Sequence, residues 1–451
     1  MKIPTLLLIC LSVFNFWSQK KLSVTEKVAL NRYIENGQQV FLAGRTNEAL
    51  EVLKKAEAID AEYWMVNYLM AQCHYDLSSF YTAESYIKTA LKNLPEKETV
   101  DADFFELFGK IYHRLGNMEL AVDGYKKASI KLGQKLSKEN GIDLYLAECE
   151  AYLVAQKSGE KLIRKPLSSE INSLEDEYAP ILVNGGERLI FTARRPETTG
   201  ENINPDDMRY FEDMYYAVWD PIKMDYQLNT EFFKPLNTNG FDAMSHVNAT
   251  GTHAYLTINT SEAEKTTKSS DLFEITSEVP YNWEAATLIK GKKVNTDYFE
   301  GGATVSDSCP DGNFMVFISD RQATETGLDL FYFPLKDDAS GIATRLPKEI
   351  NTDGNETTPY LTSKGDILFF SSDALAGFGG YDIYYSKLEN GVWSKPTNLG
   401  PKFNSVNDDT HFRYYPDLKI ATWASMADKD GFFSYDLFQA DLKSLNLEFQ
   451  K

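Results

Sequence analysis

Cysteine is scarce in this chain: there are four in 451 residues, Cys10 inside an N-terminal apolar run and Cys73, Cys149 and Cys309 scattered over three distant segments. Once that run is removed, an odd and dispersed set remains. It offers no disulfide framework, and at least one thiol stays unpaired or pairs between chains. Histidine is nearly as rare, with five residues. His246 and His253 stand seven apart and His411 falls at a matching place further on, but a metal site would need them to meet with a third ligand. Histidines isolated on strands are ordinarily structural, so no metal site is assigned. Lys/Arg blocks long enough to act as a phosphate-neutralising stripe are absent, and the formal net charge is −20. Sequence-independent attraction to nucleic acid is therefore opposed, and nucleic acid is excluded as a partner. Also missing are a Gly-x-Ser-x-Gly elbow, a Gly-rich phosphate loop and a zincin helix. Their absence argues against hydrolase, kinase and nucleotidase chemistry. The expectation is a non-enzymatic chain with no catalytic residue and no cofactor, although residues scattered over several strands would leave no such motif.

What is present is globular usage, 43% hydrophobic and 25% charged, with a heavy aromatic load of 26 Tyr and 27 Phe that suits β-rich domains. The length suits two or three folded units. Residues 1–19 carry one basic residue, Lys2, an apolar run from Ile3 to Trp17 and a small residue at Ser18, the pattern of a secretory signal peptide cleaved after Ser18 or Gln19. A retained membrane anchor is the competing reading, but the run holds Pro4 and Asn15 and falls short of the roughly 20 residues of a spanning helix. Cys10 lies inside the run behind the large Ile9, which disfavours a lipid anchor. The mature chain is expected in the periplasm, peripheral to a membrane rather than integral, with the outer membrane as the candidate surface.

Between Leu30 and Pro95 a period of 34 residues appears: Ala49 and Ala83, Ala56 and Ala90, Gly37 and Ala71, Ala61 and Pro95 fall in register. Small residues at these offsets let two antiparallel helices cross closely, while Tyr33, Val40 and Leu53 fill the groove between them. A third copy carries Gly109, Tyr112, Gly116, Ala121, Tyr125 and Ala128. These units resemble tetratricopeptide repeats, with Tyr33, Asn67 and Phe105 where the family often has Trp, and Met70 and Phe108 for its usual Leu. The helical domain is expected over 22–160. One further helix, Ile142 to Lys157, presents Leu144, Ala147, Ala151 and Val154 at helical spacing and is expected to cap the stack. The resemblance implies protein binding in a concave groove; a rigid spacer is the alternative.

From Lys165 the periodicity changes to short runs rich in Tyr, Phe, Ile and Val, punctuated by Gly, Asn, Asp and Pro. A module recurs five times, opening on Asn172, Asn237, Asn295, Asn351 and Asn404, each preceded by an apolar residue and followed by Ser or Thr, at spacings of 65, 58, 56 and 53. Five residues after each Asn stands a carboxylate: Glu177, Asp242, Glu300, Glu356 and Asp409. Each module later delivers Asp, an apolar residue and an aromatic, as in Asp213-Met214-Tyr215 and Asp382-Ile383-Tyr384. Units of this size cannot cover both sheet faces alone, and radial stacking gives a β-propeller of about five blades over 165–451.

The modules resemble the WD40-like, TolB-type propeller repeat of exported bacterial proteins, most closely the fourth, Ile350 to Pro359 continuing through Gly379-Gly380-Tyr381-Asp382-Ile383-Tyr384 and Trp393 to Gly400. Ser245 and Phe412 replace the family's Pro in copies two and five. The whole chain thus reads as a multidomain α plus all-β protein, an α-solenoid followed by a propeller. The segment Leu162 to Ile171 is positioned to complete the final blade, with Leu445 to Phe449 as competitor for that edge. The five carboxylates admit two readings: a ring at the channel mouth able to hold a cation or basic peptide, or acceptors each serving its own turn. Arg194, Arg195 and Arg321 likewise either bind an acidic ligand or pair with the abundant Asp and Glu.

This order of domains resembles Bacteroidetes envelope proteins, in which an OmpA-like peptidoglycan-binding domain often comes last. The fifth module here runs to Lys451, so that anchor is not expected. The resemblance implies a scaffold or accessory subunit of an outer-membrane assembly, type IX protein secretion being the best specific match, with outer-membrane or periplasmic envelope proteins as partners. A glycan- or peptidoglycan-binding propeller and a propeller hydrolase or lactonase are the alternatives.

Overall fold

The computed structural model describes residues 22–96, 99–204, 207–259, 270–289, 294–310, 312–321, 327–335, 341–443, 447 and 449. The expected signal peptide and Cys10 lie outside them. No helix among the described residues is long and apolar enough to cross a membrane.

Seven helices come first: α1 (Val24–Leu42), α2 (Thr46–Ile59), α3 (Trp64–Asp76), α4 (Phe80–Asn93), α5 (Ala102–Arg114), α6 (Met118–Glu139) and α7 (Ile142–Ser158). They stack as antiparallel pairs, and the small residues sit where sequence periodicity places them. Ala49, Ala56, Ala83, Ala90, Ala121 and Ala128 are all fully buried. A Cβ added at Gly37 would stand 2.6 Å from the Leu53 side chain, and one at Gly124 would stand 2.7 Å from the backbone nitrogen of Gly109. A larger residue would push α1 and α2 apart at the first and α5 and α6 apart at the second. Asn67, in a position that is aromatic in the resembled family, is buried and donates to the carbonyls of Ala61 and Tyr63, tying down the turn that enters α3.

The last helix departs from expectation in which face it buries. Ile142 and Cys149 are fully buried, with Tyr145, Leu146, Tyr152 and Leu153 packed beside them, whereas Ala147 and Val154 face solvent. Both stripes of α7 are apolar, so periodicity alone could not choose between them. The buried stripe also carries Glu148, which disguised it.

The propeller follows. Blade 1 comprises β2 (Glu177–Val183), β3 (Arg188–Ala193), β4 (Asp213–Asp220) and β5 (Asp225–Asn229); blade 2, β6 (Phe241–Val247), β7 (His253–Asn259), β8 (Asp271–Thr276) and β9 (Thr287–Leu288). Blade 3 holds β10 (Glu300–Val305), β11 (Phe314–Ser319), β12 (Asp329–Pro334) and β13 (Thr344–Arg345). Blade 4 holds β14 (Glu356–Leu361), β15 (Ile367–Ser372), β16 (Asp382–Glu389), β17 (Val392–Trp393) and β18 (Thr397–Asn398). Blade 5 is β19 (Asp409–Tyr415), β20 (Ile420–Lys429) and β21 (Phe432–Asp441), and its outer strand is β1 (Lys165–Pro166), from the opposite end of the domain.

The edge is therefore closed by the segment before the first module, with Lys165 opposite Gln439 and Pro166 opposite Phe438. Phe449 takes a different place: it is buried against Phe369, Tyr385 and Tyr414 between blades 4 and 5. An aromatic-rich core fills every gap between adjacent blades, and the inner strands β2, β6, β10, β14 and β19 touch in a closed ring.

Candidate functional site

The repeated residues of the modules have a single explanation. Each Asn reaches across to the preceding blade and clamps the apolar residue of its Asp-apolar-aromatic segment, accepting from that residue's N–H and donating to its carbonyl. Asn237 does this to Met214, Asn295 to Leu272, Asn351 to Leu330 and Asn404 to Ile383. Asn172 does it to Leu437, across the closure of the ring, and also donates to the carbonyl of Leu167 beside β1. A primary amide presents a donor and an acceptor side by side, the pattern of a peptide group, which is why this position is Asn.

The five carboxylates serve the turns that follow. Glu177, Asp242, Glu300, Glu356 and Asp409 are fully buried, and each accepts from the backbone N–H and the hydroxyl of its own module's Ser173, Thr238, Thr296, Thr352 or Ser405. Several also meet cations: Arg195 lies 3.1 Å from Glu177, Arg321 2.9 Å from Glu300 and Arg164 3.8 Å from Asp409. Burial pushes the Glu177 and Asp242 carboxyls up to about 7 and Asp409 up to about 6, against the opposing pull of these hydrogen bonds. None of the five lines the central channel. Arg194 pairs with Asp207 at 2.6 Å. Pairing with neighbouring acids thus accounts for Arg194, Arg195 and Arg321.

The histidines are dispersed. His253 pairs with Glu274 at 3.1 Å, His246 stands 3.9 Å from Asp307, and His411 stacks on Tyr178 with ring centroids 5.5 Å apart. Among the described residues no three His, Cys, Asp or Glu side chains form a metal-holding group.

Two features escaped the sequence. The first is the lining of the central channel, a cavity of about 490 Å³ walled by the inner strands. Four residues with left-handed backbone, Ala179, Gly302, Thr358 and His411, line it, each two places after an inner-strand carboxylate and each beside a register shift in the sheet. Such bulges re-aim a strand, and three of the four hold a non-glycine residue in a conformation that disfavours it. No motif announces them, because they are set by the register of strand pairing.

The second is the junction between helices and propeller. Arg114 at the end of α5 meets Asp408 at 2.7 Å, and Asp408 also accepts from the Tyr435 hydroxyl and the Tyr381 N–H. The neighbouring guanidinium holds the Asp408 carboxyl below the usual range despite its burial. His113 is hydrogen-bonded through Nε2 to the Phe378 carbonyl at 2.8 Å and through Nδ1 to the Tyr125 hydroxyl at 3.2 Å. Burial lowers its pKa to about 4, so the ring is neutral, donating from Nε2 and accepting at Nδ1. Phe80 packs on Phe433 at 4.8 Å, and Asn47 donates to the Asp207 carbonyl. Gly379 makes the approach possible, since a Cβ there would stand 2.8 Å from His113 Nε2. Glu148 is buried in the adjoining cavity of about 200 Å³, and burial pushes its carboxyl up to about 8.

The sequence matches no family profile, and no curated protein matches it. Solved structures do match. YrrB, described as a tetratricopeptide-repeat protein with an unusual peptide-binding site, is 15% identical over 30% of this chain and 69% of its own, TM-score 0.24. An arabinanase of Bacillus subtilis is 11% identical over 60% of this chain and 95% of its own, TM-score 0.39, and an α-L-arabinanase of Penicillium chrysogenum is 14% identical over 63% and 98%, TM-score 0.36. The expectation of a non-enzymatic chain is corrected by these matches: the solved propellers that this one resembles are described as glycoside hydrolases and arabinanases, though at low identity and TM-score. At such identity the likeness concerns fold and assigns no activity to this chain.

Proposed function

We propose that this chain is a protein-interaction scaffold of the bacterial envelope, exported to the periplasm and serving an outer-membrane assembly, with type IX protein secretion the best specific setting and sealing or gating of the translocon its narrower role. The observation that carries the scaffold reading is the junction. Arg114, His113 and Phe80 lock the helical stack onto one propeller face through a buried ion pair, a neutral histidine bond and an aromatic contact. Helical stacks offer their surface to peptides and partner helices. Fixed to a propeller, such a stack holds what it binds at a set distance from what the blades bind.

The setting rests on the apolar leader and on the order of domains. Crosslinking in intact cells followed by purification from envelope extracts tests it: stoichiometric outer-membrane partners are expected, fewer of them with Arg114→Ala. Recovery of the wild-type chain alone would refute the scaffold, and partners confined to the cytoplasm would refute the setting.

A further inference from the structure

We infer that the propeller channel is a binding site for a monocarboxylate with a compact apolar body, gripped at its charged end by Arg413. The reasoning begins with an imbalance of charge. Arg194, Arg195, Arg321 and Arg345 in the propeller each sit within 3.1 Å of an Asp or Glu oxygen. Arg413, on β19, is only 8% exposed, and among the described residues no carboxylate stands within ion-pair distance of it. Its guanidinium donates to the Ser245 carbonyl and lies over the Tyr360 ring at 5.3 Å. A buried cation without a counter-charge is costly and uncommon, and here it persists in a chain of net charge −20. The remaining donors of the guanidinium form a planar fork that matches a carboxylate.

The surroundings state the rest of the ligand. Tyr178, Phe241, Met244, Phe299 and Tyr360 wall the 490 Å³ cavity, which is of the size that holds small molecules. Glu212 also lines it, but burial raises its pKa against the opposing pull of Arg194 and the Tyr178 hydroxyl, which favours the uncharged acid. His411 stacks on Tyr178 and is neutral, because burial and the Arg413 charge lower its pKa to about 3. The net demand inside the channel is therefore for one negative charge on an apolar body. Further cavities adjoin it at both ends of the inner strands. Arg413 also lines a cavity of about 300 Å³ at one mouth, while Tyr178 and His411 line one of about 390 Å³ at the other, beside the junction residues Tyr381 and Tyr435.

Such a group is found on a free organic acid or on the last residue of a polypeptide, and calorimetry on the full chain distinguishes them. The probes are 3-phenylpropionate and its amide, Gly-Gly-Phe and its C-terminal amide, and galacturonate. Both acids are expected to bind, each amide about tenfold or more weaker, since a charge-assisted bond is replaced by a neutral one. A tighter tripeptide identifies a chain terminus as the source, and equal or weaker binding identifies the free acid. Arg413→Gln should abolish the acid-over-amide preference while raising the melting temperature of the unliganded protein, and Arg413→Lys should restore part of the preference. Amides binding as well as acids, no binding by either acid, Arg413→Gln retaining the preference, or galacturonate binding more tightly than phenylpropionate would each overturn the assignment. The acid–amide contrast on the wild-type chain decides the matter even if Arg413→Gln does not fold.

Discussion

Replacing Asn172 by Ala removes three hydrogen bonds at the one place where the propeller ring is joined end to end. The amide accepts from the Leu437 N–H at 2.8 Å and donates to the carbonyls of Leu437 at 3.0 Å and Leu167 at 3.2 Å. Each such bond contributes about 0.5–1.5 kcal/mol net, and leaving a buried backbone partner unsatisfied costs about 1–3 kcal/mol. Asn172 is half-buried, so water relieves part of that penalty, and a loss of about 2–3 kcal/mol is expected. Urea unfolding followed by near-ultraviolet circular dichroism of the propeller aromatics measures it. The comparison is Asn295→Ala, which breaks the same pair of bonds to Leu272 inside the ring. Opening at Asn172 also frees β1, whose two residues pair with β21. The Asn172 variant should therefore fall further than the Asn295 variant, and hydrogen exchange should rise along β21. A loss below about 0.5 kcal/mol, or equal losses at the two sites with β21 still protected, would refute the idea that this residue fastens the ring.

Deletion of residues 162–167 should expose the same edge and promote self-association measurable by sedimentation, and a monomer as stable as the parent would contradict it. Arg114→Ala leaves Asp408 buried without its cation, a loss of about 3–5 kcal/mol at the junction, so small-angle scattering should show the helical stack detached and residues 159–164 should become protease-sensitive; an unchanged scattering profile would refute it. Glu148→Gln should be silent below pH 4.5 and stabilising above pH 8. With a folded pKa raised from 4.5 to about 8, the wild-type protein keeps its stability while both states are protonated and loses it as pH rises through that window, by up to about 5 kcal/mol. Parallel pH dependence of the two proteins would remove Glu148 as the cause. Gly124→Ala forces a Cβ onto the Gly109 backbone and should cost about 1–3 kcal/mol of helical stability by thermal melting, while Gly44→Ala, where nothing stands within 4 Å, should act only through its left-handed backbone.

The architecture was legible because repetition is a property of sequence. Five copies of Asn, carboxylate and Asp-apolar-aromatic sit in five blades, and the small residues at a spacing of 34 mark helix crossings. The role of those copies was only half legible. Ser or Thr next to Asn points to a turn, but nothing local says that the Asn amide reaches another blade, because its partner lies 21 to 23 residues back in four copies and 265 residues ahead in the first.

The sequence by itself determined the class of each half and the blade number, since these follow from period and polarity, and it narrowed the closing edge to two candidate segments. Tertiary structure alone decided which segment closes the ring, which face of α7 is buried, that Arg114 and Asp408 meet across 294 residues, and that Arg413 stands in the channel with no acid within ion-pair distance among the described residues. The physical reason is common to all four. Charge compensation and close approach depend on which side chains share a space, and two arginines on similar strands read alike until the ring is closed and one of them is found opposite a carbonyl instead of a carboxylate.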